Sequence, residues 1–319
     1  LCSLIVIIGG SLDYLVAFGL INFPFRGAFS PFSYSAMLIS VGVILATRFT
    51  KAQNQTETVS RILSGRIHSK SQALDHSLKD LEHNLNLALR IQQNLLPSPF
   101  SVEGYKTASL FIPMQQIGGD FYDFFPLRNG NHGFIIADSS GHGIAAAFVS
   151  TMTKMALDSE LKKENSPAVI LSGLNDRLIG RTSGNFVTAS LLEIDPNAQT
   201  ATIASAGHLP LLIQNPGGQI EEIQPKGRIL GIFKGSSYNE IQITLQKGTR
   251  IFLYTDGIVE LKRPFSSDMY GEERFYRFLT DKRNVSLDIL VKDLKKEMDL
   301  YVLGSDYNDD VTFLGIEVL

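Results

Sequence analysis

Residues 1–48 carry only three charged side chains, Asp13, Arg26 and Arg48, and this block limits what the chain can fold into more than any other feature. Two apolar runs lie within it, residues 1–22 and residues 32–47, joined by a turn over residues 23–31 that contains two prolines and Arg26. The first run is long enough to cross a bilayer and the second is marginal. Arg48 and Lys51 follow the second run, which places its end on the cytoplasmic side. A signal peptide is disfavoured, because the first run lacks a basic start and a second apolar helix follows. The other reading, a buried helical hairpin of a soluble protein, leaves the near-total lack of charge unexplained. Residues 1–49 are therefore expected to be transmembrane helices, a fragment of a larger multi-pass membrane sensor region.

Residues 50–97 are polar by contrast. Leu74, Leu78, Leu81, Leu85, Ala88, Gln92 and Leu95 alternate spacings of four and three, which is an a/d seam on a helix. So narrow a stripe buries too little to fold alone, so residues 74–95 are expected to pair with a second copy as a homodimeric coiled-coil linker. Polar Gln92 would weaken or register that pair, and Pro97 and Pro99 end the helix.

From residue 98 to residue 319 the pattern becomes short apolar strands broken by turns, with pairs of helices near residues 143–179 and 272–301. Strands, paired helices and more strands predict an α+β fold, a two-sheet β-sandwich flanked by paired helices, rather than alternating β-α units. The net charge is −3, so no field exists for nucleic acid, and no nucleic-acid partner is expected. The single cysteine, Cys2, leaves no intramolecular disulfide and no cysteine-based zinc site.

Any chemistry resides in aspartates. Asp120 lies in IGGDFYD, Asp138 ends GFIIAD, Asp256 ends RIFLYTD, and Asp309 and Asp310 open NDDVTFLGIEV. One Asp-Gly after a strand is usually a turn. Several acids at the ends of buried strands, most with glycine beside them, are different: converging carboxylates repel unless a cation sits among them. An oxygen-only site suits Mg2+ or Mn2+.

At this point LLP, IGGDFYDFF, ADSSGHGIAAAF, FVTASLLEID, SAGHLPLLI, ILGIF, IFLYTDGIVE and NDDVTFLGIEV stand in order over residues 95–319. The segment resembles the PPM family of metal-dependent phosphatases, in the bacterial branch typified by RsbU and SpoIIE. The resemblance implies two divalent cations, Mn2+ or Mg2+, held by Asp120, Asp138, the carbonyl of Ser139, Asp256 and Asp309, with Asp138 bridging. It implies a serine/threonine protein phosphatase in which a hydroxide bridging the metals attacks phosphorus directly. The implied partner is a phosphorylated regulatory protein of the anti-sigma-factor antagonist type. Asp123 and Asp310 would be supporting residues, and Ala137 replaces the glycine usual before the bridging acid.

His142 and His208 are expected to be structural, since an all-oxygen site needs no imidazole. Arg228 and Arg250 are available to clamp phosphate, but such residues are mostly solvated surface. The rival to an enzyme is a catalytically silent signalling module of the same fold that binds a partner without turnover. Retention of all four acids argues against it. The whole is expected in the cell inner membrane, with the phosphatase domain in the cytoplasm and regulated through the linker.

Overall fold

The computed structural model describes residues 2–22, 29–95, 97, 103–114, 117–127, 130–163 and 166–319. Most of the expected turn at residues 23–31, Leu96 and Pro99 lie outside them, as do the side chains of Leu85, Ala88 and Leu95. The chain resolves into two compact units, Leu1–Leu81 and Glu82–Leu319.

In the first unit, helix α1 (Cys2–Ala17) is followed by α2 (Phe29–Leu95), which runs without a break from the second apolar stretch into the polar one. Helix α1 covers 16 residues, about 24 Å. It ends where Gly19 takes the left-handed conformation that closes many helices. The second run is part of a 67-residue helix, and it alone among the described residues is long and apolar enough to cross a membrane. Its apolar side chains, Leu38, Ile39, Leu45 and Phe49 among them, are exposed. Leu74, Leu78 and Leu81 of the seam are exposed too.

The second unit contains strands β1 (Tyr105–Ile112), β2 (Phe121–Pro126) and β3 (His132–Ser139), then helices α3 (Ile144–Glu160) and α4 (Pro167–Leu178). Strands β4 (Val187–Asp195), β5 (Thr200–Ala206), β6 (Leu211–Gln214), β7 (Ile220–Ile223), β8 (Glu240–Thr244) and β9 (Arg250–Tyr254) follow. A one-turn helix α5 (Asp256–Val259), helices α6 (Gly271–Asp281) and α7 (Leu287–Tyr301), and strand β10 (Val311–Val318) complete it. Two antiparallel five-stranded sheets result, in the orders β1-β10-β9-β6-β7 and β2-β3-β4-β5-β8.

Why the strands read as unbroken apolar runs is visible in their packing. Successive side chains of a strand face opposite sides of its sheet. On β3, Phe134 and Ile136 fill the space between the sheets, while Ile135 and Ala137 lie under α3 and α4. On β9, Ile251 and Leu253 face the other sheet, while Phe252 and Tyr254 pack beneath α6 and α7. Both faces are covered, so both must be apolar. The layers run helices, sheet, sheet, helices, which is the α+β sandwich expected, and the acidic strand ends emerge at one end of it.

Candidate active site

Asp138, Asp256 and Asp309 line one cavity of about 370 Å³, together with Asn308, His142 and Thr188. Each acid reaches it from a strand end. Asp138 sits one residue before the end of β3, paired across the ladder with Thr188 on β4. Asp256 begins α5 directly after β9, and Asp309 stands two residues before β10. Gly257 makes this convergence possible: a Cβ there would lie 1.9 Å from the carbonyl oxygen of Asp310. Only glycine allows the two backbones so close.

Asp120 is placed differently. Its carboxylate is buried behind the cavity wall and accepts hydrogen bonds from the hydroxyls of Thr255 (2.8 Å) and Thr312 (2.7 Å). Thr255 and Thr312 belong to the ends of β9 and β10, so Asp120 ties the β2 edge of one sheet to the centre of the other. Ser139 is buried, and its hydroxyl has no hydrogen-bond partner among the described residues. Its carbonyl oxygen faces Gly119, where a Cβ would come within 2.9 Å of it.

Asp310 and Asp123 are supporting residues by geometry. The Asp310 carboxylate accepts the backbone N–H groups of Met114 and Gly119. Gly118 is pressed against that carboxylate, since a Cβ there would fall 2.7 Å from it. Buried Asp123 pairs with half-buried Lys154 at 2.7 Å. The two candidate phosphate clamps do not face the cavity. Arg228 lies over the ring of Phe233. Arg250 is buried rather than solvated, donating to the carbonyls of Lys282 and Val285 and to Glu317.

The histidines separate. His142 is exposed on the cavity wall, between Gly141 and Gly143 at the start of α3. His208 is buried, and both ring nitrogens are engaged: Nδ1 with the Thr188 hydroxyl at 2.8 Å and Nε2 with the Tyr254 carbonyl at 3.1 Å. Gln92 is the largest departure from the sequence reading. It does not face a partner helix; its amide donates to the Gly118 carbonyl (2.6 Å) and accepts from the Gly118 N–H (3.1 Å). Leucine spacing alone gave no signal for that contact.

The electrostatics follow from burial without a balancing charge. Burial raises Asp138 to about 7, helped by the charges of Asp256 and Asp309. Burial, then Asp309, raises Asp256 to about 6. Asp120 is raised by burial and by Asp138, against the two threonine hydrogen bonds. Among the described residues no lysine or arginine lines the cavity. A divalent cation fits this donor set: all oxygen, acidic, and without a side-chain counter-charge. Among the described residues no three acids or imidazoles form a ready-made cage, so water would have to complete the coordination.

This fold, two five-stranded sheets between helix pairs, is shared with proteins described as PP2C domains. The SiaA-PP2C domain of Pseudomonas aeruginosa superposes with a TM-score of 0.68 at 23% identity, over 76% of this chain and 98% of that one. The PP2C phosphatase domain of SpoIIE from Bacillus subtilis, with a fragment of its regulatory domain, gives 0.57 at 19% identity, over 67% and 63%. RsbX in complex with magnesium gives 0.50 at 18%, over 69% and 98%.

Residues 128–319 match the family described as Stage II sporulation protein E (SpoIIE), and the chain belongs to that family. Two curated relatives from Bacillus subtilis (strain 168) align with it. Phosphoserine phosphatase RsbU is 28% identical over 202 residues, 62% of this chain and 60% of RsbU. Phosphoserine phosphatase RsbP is 26% identical over 184 residues, 56% of this chain and 46% of RsbP. The chain thus spans about half to three-fifths of the length of these relatives.

Proposed function

We propose that the chain is a divalent-metal-dependent protein phosphatase acting on phosphoserine or phosphothreonine of a regulatory protein, anchored in the inner membrane. The observation that carries this reading is the meeting of Asp138, Asp256 and Asp309 around one cavity that no lysine or arginine lines among the described residues. The phosphoserine phosphatase activity of RsbU and RsbP, and the magnesium in RsbX, support it.

Asp138, Asp256 and Asp309 would hold two divalent ions, Mn2+ or Mg2+, from the cavity wall, with Asp120 and the Ser139 carbonyl behind them. Bound there, the ions supply Lewis acidity that makes water nucleophilic near neutral pH and offsets charge on the phosphoryl group. The chain's own part is positioning. Asp120, held by Thr255 and Thr312, fixes the two sheets against each other behind the cavity. His142, exposed on the wall, would hand a proton to the departing serine or threonine oxygen. The family resemblance makes an anti-sigma-factor antagonist the substrate type.

The exposed apolar stretch of α2 would lie in lipid, where its side chains need no protein cover. The exposed Leu74, Leu78 and Leu81 would pair with a second copy. A change in that pairing would reach the site through Gln92, which grips the loop that carries Asp120.

The deciding experiment takes the full chain in detergent micelles and follows phosphate release from a phosphoserine peptide, with and without Mn2+, beside Asp138→Asn. Turnover that needs metal and is lost in the variant is expected. Metal-independent turnover, or equal rates in the variant, would sink the reading. Tight peptide binding with no turnover would favour the silent module.

A further inference from the structure

We propose that His208 is a positioning residue: with Thr188 it forms a strut between the two sheets that sets the spacing of Asp138 and Asp256, and so the affinity of the site for divalent cation. The inference rests on the metal-site reading above and adds to it a residue that the acidic motifs do not contain.

The register of β6 against β9 leaves one backbone hydrogen bond unmet. Strands β6 and β9 pair antiparallel, Leu212 with Phe252 and Ile213 with Ile251. Continuing that register brings Pro210 opposite Tyr254. On its other side Tyr254 does not bond to β10, because Thr255 N–H bonds Thr312 O in the adjacent pair and strand bonds alternate. The Tyr254 carbonyl therefore points at the β6 side, where proline has no N–H to give. A buried carbonyl left so would be costly. His208 fills the gap, its Nε2 lying 3.1 Å from that oxygen.

A carbonyl can only accept, so Nε2 carries the proton and Nδ1 is an acceptor. Nδ1 therefore receives the hydroxyl hydrogen of Thr188 at 2.8 Å. The ring is flat and rigid, with a donor on one edge and an acceptor on the other, and that pairing exists only in the neutral form. Burial, which pushes the imidazole down to about 4, keeps it neutral at physiological pH.

What the strut joins matters more than the bonds themselves. Tyr254 ends β9 two residues before Asp256, in one sheet. Thr188 is the ladder partner of Asp138, in the other sheet. The remaining polar groups of His208 are also held, its N–H by Ser205 Oγ and its carbonyl by the Gln224 amide. The ring thus has no freedom to relax, and the two strand ends move apart only if one of its bonds breaks.

The test measures Mn2+ binding by isothermal titration calorimetry, and Tm in EDTA, on the full chain in detergent micelles. The variants are Thr188→Val, His208→Gln and His208→Ala. Thr188→Val keeps the shape of the side chain and removes only the hydroxyl bond. It is expected to bind Mn2+ about threefold to tenfold more weakly, the effect of one hydrogen bond, with Tm lowered by a few degrees because Nδ1 of buried His208 loses its donor. His208→Ala should bind more weakly still, and His208→Gln, whose amide offers both a donor and an acceptor, should recover part of the loss. Unchanged Mn2+ affinity in Thr188→Val and His208→Gln, with Tm lowered in the histidine variants, would reduce His208 to a core residue and overturn the strut. Wild-type protein that binds neither Mn2+ nor Mg2+ would overturn the metal-site reading itself, and the strut with it.

Discussion

Gln92 and Gly118 are joined by two opposed hydrogen bonds, the side-chain amide of one closing on the backbone N–H and C=O of the other. The pairing is that of two strands, made by a single side chain at the end of a 67-residue helix. Gly118 is followed by Gly119, whose N–H is held by Asp310, and then by Asp120. The C-terminal turns of α2, within Glu82–Leu319, thus grip the loop that carries Asp120 by its backbone.

Gln92→Ala would leave that peptide's N–H and C=O without partners in a buried place. The loss is about 1–3 kcal/mol, a fall in Tm of roughly 3–8 °C for a domain of this size. Faster amide exchange should be confined to the loop around Gly118 and Gly119. Thermal denaturation and hydrogen exchange check this together, and uniform loosening across the domain would contradict it.

Asp309 and Asp310 are neighbours with opposite duties. Asp309 faces the cavity, whereas both Asp310 oxygens are occupied by backbone N–H groups. Asp309→Asn should cut turnover of a phosphoserine peptide at least ~100-fold with an unchanged Tm. Asp310→Asn presents an amide to one of those N–H groups, so it should lower stability by about 1–3 kcal/mol. If the two variants behave alike in both assays, the division of roles is wrong.

His142 can be assigned by leaving group. Serine oxygen departs badly without a proton, while p-nitrophenolate leaves unaided. His142→Ala is expected to slow phosphoserine peptide hydrolysis by roughly 100-fold or more and p-nitrophenyl phosphate hydrolysis far less. Equal losses on both substrates would return His142 to a structural role at the start of α3.

Much of this was legible in the sequence where burial is two-sided or a motif is local. β3 and β10 stood out because both faces of each are covered, which forces an apolar run. Helices α3, α4, α6 and α7 were legible for the usual reason, one apolar face each. β6 and β7, four residues apiece, were too short and too mixed to register. The acids Asp138, Asp256 and Asp309 could be placed at strand ends, but the inward turn of Asp120 depends on Thr255 and Thr312, 135 and 192 positions away. No local pattern encodes such a contact. Gln92 misled for a related reason: heptad spacing says which face of a helix a residue shares, not what that face meets.

Acidity gives His208 a measurable signature. Its pKa falls from an ordinary 6.5 to about 4 on burial, so between those values the unfolded chain binds a proton that the folded chain refuses. Stability from this group is whole above about pH 6.5 and is lost as pH falls toward 4. Asp138 and Asp256 act in the other direction without metal. Their raised values mean the folded state holds protons that the unfolded state releases, so their contribution fades as pH rises through 6 to 7. A single stability curve mixes the two, but the difference between wild type and His208→Gln isolates the histidine. In EDTA, wild type should lose on the order of 3 kcal/mol relative to the variant as pH drops from about 7 to about 4.5. Parallel curves would mean that the imidazole is not held neutral between Thr188 and Tyr254, and the assignment of Nδ1 as acceptor from the Thr188 hydroxyl would have to be dropped.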